Sequence, residues 1–397
     1  MWRLSLPLLF FSVASGQYCP PWLVSKQESS ACTCFNYIDG AVIDCDGPEG
    51  PEVVEKLKTA NIDIRQLSIM NADIIEIGPR AFRNLRIKSL KLDNNRIRKI
   101  HEDAFRGLEF SLLYLSLAHN KLTEIPTNAL SGMRNLLTLN LKCNNIGNIY
   151  QAAFRNVSSL IELNLGCNQV CRMSVNAFDG IKKSLKSLVL DQNCLQDVPA
   201  QALRGFDNLL ALHLQDNRIA NLEKLEFMNL LSLIMVRLSG NQIRTIHKQA
   251  FTNIPNLRYL YLDRNKLTSI EPNILQQFRF LEIVDLSWNN IAEIPGGTFS
   301  SMEHLMQLNL EGNMITDIQP GHPLFCGNSR LSTISSIESF AFAQMPNLQM
   351  LDLSHNLTDS VPSFSFNKQT TILLLENPVA CTEGFHLIPR AGKAFTC

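Results

Sequence analysis

The sequence predicts an α/β repeat solenoid bent into a horseshoe. A parallel β-sheet lines its concave side, and the convex side is mostly irregular or 3-10. Three observations predict this. From Leu90 to Ile315 a Leu-x-Leu-x-x-Asn-x-Leu phrase, with other aliphatics standing in for some leucines, recurs ten times. Its closing asparagines are Asn95, Asn120, Asn144, Asn168, Asn193, Asn217, Asn241, Asn265, Asn289 and Asn313, so each step is 24 or 25 residues. One large apolar side chain also recurs at a constant offset in the second half of each unit. A fixed period in the twenties marks stacked coils, each burying its apolar face against its neighbours.

Within a coil, the two leucines read as alternate inward positions of a short strand. Stacked in parallel, such strands form one sheet advancing about 4.8 Å per coil. The asparagine falls where the chain turns away. A buried amide there must donate and accept, and Asn carries both functions on a short stem. These asparagines are therefore structural. The ten in-register copies resemble the extracellular leucine-rich-repeat proteins, over roughly residues 62 to 381. The resemblance implies a protein-binding scaffold, acting in matrix organisation or at cell surfaces.

Residues 1–16 have the form of a signal peptide: Arg3, an apolar stretch from Leu4 to Val13, then Ala14-Ser15-Gly16. A buried N-terminal strand is the alternative. Cys19, Cys32, Cys34 and Cys45 follow within 17–61, a short segment with Pro and Gly. Outside the cell this implies disulfides, with three pairings open, or less aptly a metal site. The resemblance implies an N-terminal cap pairing Cys19 with Cys34 and Cys32 with Cys45. The solenoid then occupies 62–375, in about twelve coils. Its first repeat, Ile64 to Leu85, has Ala72 in place of the asparagine.

The large residue of the second half is Phe82, Phe105, Phe154, Phe178, Phe251 or Phe342, each after an alanine, and Leu130, Leu203, Phe227, Leu275 or Phe299 elsewhere. It forms a ridge behind the leucines. The period breaks after Ile318: Asn356 is 43 residues beyond Asn313, so an irregular insertion lies near 320–339. The segment 376–397 holds Asn377-Pro378-Val379-Ala380-Cys381 and ends at Cys397. It resembles a C-terminal cysteine cap, reduced or truncated.

Cys143 and Cys167 occupy one position of neighbouring coils, about 5 Å apart, within disulfide range. Cys171 and Cys194 also fall in neighbouring coils. Two inter-coil disulfides are expected, with free thiols as the alternative. Cys381 would pair with Cys397, leaving Cys326 over. Asn156-Val157-Ser158 is a glycosylation sequon on the convex side. Asn356-Leu357-Thr358 is a second, but a buried ladder amide cannot carry a glycan.

Lysines and arginines number 36, as do aspartates and glutamates, without long single-sign runs. That argues against nucleic acid or an anionic membrane as the partner. The eight histidines show no metal-ligand spacing, and no serine or cysteine sits at a nucleophile turn, so neither enzyme activity nor a cofactor is expected. His119 and His355 are expected to face solvent.

The residues between the leucines remain. Reading them across coils exposes, among others, Ser116, His213, Asp285 and Glu311 on the concave face. Met235, Arg237, Tyr259, Tyr261, Arg264, Ile283 and Trp288 gather there on neighbouring coils. Tyr, Trp, Met and Arg are enriched where proteins meet partners. The expected partner is an extracellular or cell-surface protein. The competing reading of the seven is ordinary surface scatter. The competing reading of the chain is the ectodomain of a membrane receptor whose C-terminal part is missing.

Overall fold

The computed structural model describes residues 18–24, 31–295, 298–299, 302–315, 345–357 and 370–377. The signal-like stretch, the insertion with Cys326, and the Cys381/Cys397 pair lie outside these residues.

Among the described residues fifteen strands form one continuous sheet in chain order. The first two, Cys32–Tyr37 and Gly40–Asp46, make an antiparallel hairpin, and the second pairs in parallel with Asp63–Met70. From there every neighbour is parallel, one strand per coil: Arg86–Lys91, Tyr114–Ser116, Thr138–Asn140, Glu162–Asn164, Ser187–Val189, Ala211–His213, Met235–Arg237, Tyr259–Tyr261, Ile283–Asp285, Gln307–Asn309, Met350–Asp352 and Thr371–Leu373. Register is kept across the irregular step, because Gln307, Leu308 and Asn309 face Met350, Leu351 and Asp352. The insertion therefore leaves the sheet intact.

The hairpin closes the open end of the stack. Helix Gly50–Leu57 carries Pro51 in its first turn, where the fixed φ of proline is suited. It lays Val53, Val54 and Leu57 on the core. Cys19–Cys34 and Cys32–Cys45 are both bonded, as the resemblance implied. Cys143–Cys167 and Cys171–Cys194 are bonded as well, with Cα atoms 4.4 and 4.5 Å apart.

The asparagine ladder explains why each coil needs its neighbour. The Asn265 side-chain amide donates to the carbonyls of Leu262 and Asp263 in its own turn and to Leu238 one coil back. Its Oδ1 accepts from the Ile243 N–H, also one coil back. The same pattern repeats at Asn120, Asn217 and Asn289. Asn356 continues it across the irregular step, accepting from Ile315 and donating to Leu310, Leu353 and Ser354. Only 3% of Asn356 is exposed and both amide hydrogens are engaged, so it offers no glycan acceptor.

Behind the leucines runs an aromatic spine. Phe82 stacks on Phe105, Phe154 on Phe178, and Phe227 on Phe251, with centroids 6.1, 5.9 and 4.8 Å apart. Coils with leucine at the ridge form a helical turn there instead: Thr127–Leu130, Ala200–Leu203 and Pro272–Leu275. A proline opens each turn, at Pro126, Pro199 or Pro272. Three residues later a second large side chain refills the spine. Phe206 meets Phe178 edge-on at 5.7 Å, and Phe278 meets Phe251 at 5.5 Å. The chain leaves the helical turn straight after Leu130 and Leu203, through an extended Ser131 or Arg204 and a left-handed Gly132 or Gly205, and so brings the second side chain onto the spine without emptying the core.

Candidate binding face

Two outward columns run along the concave sheet. Met235, Tyr259 and Ile283 are direct neighbours in the first, and Arg237, Tyr261 and Asp285 in the second. Five of the seven residues singled out by sequence thus share one strip across three coils. The Arg237 guanidinium lies 4.7 Å from the Tyr261 ring centroid, a cation–π pair that fixes both side chains. Tyr259 donates its hydroxyl to Glu282 at 2.9 Å, and Arg258 pairs with the other oxygen of that carboxylate at 2.8 Å. The Glu282 carboxylate holds the Tyr259 pKa above the usual tyrosine value. Glu282 was missed from sequence because it precedes the strand rather than lying between its leucines.

Arg264 and Trp288 occupy a different strip. They belong to the column immediately before each asparagine, separated from the strand columns by Asp263 and Ser287. Every non-glycine residue of this column from Asn94 to Glu376 has positive φ, and Gly240 and Gly312 fill the remaining places. The cause is the turn: from Asn94 to His355 each residue of the column still donates its N–H to the next coil, as Trp288 does to the Glu311 carbonyl at 2.7 Å, while the chain reverses towards the asparagine. Left-handed backbone makes the side chain lean along the stack rather than stand up from the sheet.

Trp288 shows the result. A Cβ at Gly312, one coil on, would sit 2.7–3.0 Å from three atoms of the indole, so only glycine lets the ring lie there. Beyond Gly312, the His355 ring centroid is 5.7 Å from that of Trp288. His355 Nδ1 is 3.2 Å from Glu376 and its Nε2 3.8 Å from Glu311. The expectation that His355 faces only solvent is therefore corrected, because its partners come from adjacent coils. His119 is exposed as expected.

Ser116 needs correction as well. It is wholly buried, donating to Asp93 at 2.5 Å while accepting from Asn140 at 3.1 Å. Two longer side chains close over a short one.

Burial governs the charges further along the face. It pushes the Asp191 and Asp285 carboxyls up and the His213 imidazole down. Among the described residues no group of three or more His, Cys, Asp or Glu could hold a metal ion. Among the same residues no helix is long and apolar enough to cross a membrane. On the convex side Asn156 is exposed, with its side-chain amide 3.3 Å from the Ser131 hydroxyl.

The family model described as Leucine rich repeat matches six overlapping stretches: 85–142, 134–184, 183–243, 207–267, 232–291 and 279–333. A BspA type Leucine rich repeat region model matches 328–383. Human leucine-rich repeats and immunoglobulin-like domains protein 1 is 29% identical over 238 residues, 60% of this chain and 20% of that protein. Rabbit fibromodulin is 42% identical over 64 residues, 16% of this chain and 43% of the relative. The chain spans less than half the length of the curated relatives it matches. Among solved structures, an octameric complex of Latrophilin 3, Unc5D and the FLRT2 leucine-rich repeats aligns with a TM-score of 0.58 at 26% identity. That alignment covers 68% of this chain and 76% of the other.

Proposed function

The chain belongs to the leucine-rich-repeat family, and from that premise we propose that it is an extracellular scaffold binding a protein partner on its concave face, in matrix organisation or cell-surface interaction. The observation that carries this reading is the strip of Met235, Arg237, Tyr259, Tyr261 and Ile283 on adjoining strands, edged by Arg264 and Trp288. Aromatic and arginine side chains locked by neighbours lose little entropy on binding, which is what hot spots need. The FLRT2 repeats, in a complex with two other proteins, support the same use of the fold. The four disulfides among the described residues support an oxidising compartment.

The test is partner capture from extracellular fluid or matrix by the wild type and by a Tyr261→Ala, Trp288→Ala variant. Loss of two hot-spot side chains weakens binding by at least about 100-fold, with an unchanged melting curve. Equal capture by both proteins would remove the patch from consideration.

The second reading, a receptor ectodomain, draws on the short span of the chain relative to its curated relatives. Transcript sequence encoding an apolar run of about 20 residues beyond Cys397 would favour it.

Asn156 is the position we assign to an N-linked glycan, since it is exposed and followed by Val157 and Ser158. Protein secreted from animal cells should lose mass on enzymatic deglycosylation, and Asn156→Gln should abolish that change. A naked Asn156 peptide in the secreted protein would rule the assignment out.

A further inference from the structure

Trp288 is an exposed aromatic plane with a fixed underside. The residue is 51% exposed, yet the ring lies over Gly312, and the tilted His355 ring has its centroid 5.7 Å away. An indole held in this way presents one negative π-face to the outside, with little freedom left to lose.

Its surroundings carry the same sign. Glu311 and Glu376 flank His355, and Asp285 and Asp352 lie in the adjoining strand columns. Asp263 lies one coil before. The basic residue nearest in the column, Arg264, has its guanidinium 3.9 Å from the Asp263 carboxylate and forms no cation–π contact with Trp288 among the described residues. The shelf therefore joins a π-face to a carboxylate rim.

We infer that this shelf receives an arginine or lysine side chain from a basic segment of the protein partner, with the cation lying over Trp288 and its hydrogen bonds directed to Glu311 and Glu376. The inference rests on the concave-face reading and specifies the partner's chemistry at one end of it. A guanidinium fits best, because it can stack flat on the indole while its N–H groups point outward at carboxylates. Carboxylates around the ring attract the cation during approach and repel acidic competitors. Gly312 has a purpose in this scheme beyond its positive φ, since any side chain there would lift the ring from its seat.

The test is a titration of the full chain into a fluorescently labelled hexa-arginine peptide, followed by anisotropy. Saturable binding is expected. Trp288→Ala should raise Kd about fivefold, the loss that a cation–π contact of about 1 kcal/mol represents. Trp288→Phe should restore part of that loss. A Glu311→Gln, Glu376→Gln double variant should weaken binding and flatten its dependence on salt, and labelled hexa-glutamate should not bind. Circular dichroism checks that each variant is folded.

Equal Kd for wild type and Trp288→Ala overturns the inference. So does displacement of the peptide by a neutral trisaccharide such as maltotriose, which would make the shelf a sugar platform. The concave-face reading fails separately: if Tyr261→Ala leaves partner capture unchanged while hexa-arginine still depends on Trp288, the patch falls and the shelf stands.

Discussion

Exchanging Asn265 for alanine lowers the stability of the solenoid by about 3–5 kcal/mol, although it removes only a carboxamide. The side chain satisfies the Ile243 N–H and the carbonyls of Leu238, Leu262 and Asp263, all at 2.9–3.2 Å. Asn265 is only 6% exposed, so alanine leaves these groups buried, and each unsatisfied group costs about 1–3 kcal/mol. Partial relaxation of the turn keeps the total below the sum. Two of the lost bonds reach the preceding coil, so the damage falls on the interface between repeats and weakens cooperativity along the stack. Asn265→Asp should be no better, since it keeps an acceptor but loses both donors. Urea denaturation of the three proteins measures the effect; a loss under 1 kcal/mol for alanine would show that the ladder is dispensable.

Glu226→Ala should stabilise the protein, and do so more as pH rises. Glu226 occupies the column that alanine fills at Ala104, Ala153, Ala177 and Ala250. It is only 7% exposed, and its Oε2 has no hydrogen-bond partner among the described residues. Burial, reinforced by the nearby Asp197 and Glu223 charges, raises its pKa from 4.5 to about 8, against a smaller opposing hydrogen bond from the Glu223 backbone. Between those two values the unfolded chain gives up a proton that the folded chain keeps. The contribution of Glu226 to stability is therefore most favourable below pH 4.5, falls as pH rises towards 8, and is level above. The fall attributable to Glu226 is at most about 5 kcal/mol, the free energy that a rise from 4.5 to about 8 represents. Asp191 and Asp285 are shifted in the same direction, so alanine flattens the profile without abolishing it. Melting temperatures at pH 5 and pH 8 provide the measurement. An unchanged pH dependence in Glu226→Ala would place the charge elsewhere.

Much of this architecture is legible in sequence because a solenoid ties position in the repeat to place in space. Once the asparagines fix the register, Cys143 must meet Cys167 and Met235 must lie beside Tyr259. The 43-residue step is readable for the same reason, since Leu351 and Asn356 resume the same phrase beyond it. Periodicity tells which face a residue takes, but not how far its side chain leans along the stack. Trp288, Gly312 and His355 come together through positive φ, which the pattern does not encode. Reading down the column before each asparagine would have signalled it, as glycine follows tryptophan there. Ser116 escaped because its burial depends on the lengths of Asp93 and Asn140, and Glu226 because an alanine column was read by its phenylalanines.

The two inter-coil disulfides have a mechanical consequence. A solenoid pulled from its ends unravels coil by coil, releasing about 3.4 Å of contour for each residue freed. Cys143–Cys167 and Cys171–Cys194 close loops of sequence separation 24 and 23. However far the neighbouring coils are stretched, those loops cannot lengthen, and about 150 Å of chain stays out of reach of tension. Between them only Asn168, Gln169 and Val170 can extend. A molecule anchored in a network under load would therefore have a fixed limit to its reach, set between Cys143 and Cys194, which only a reductant could remove.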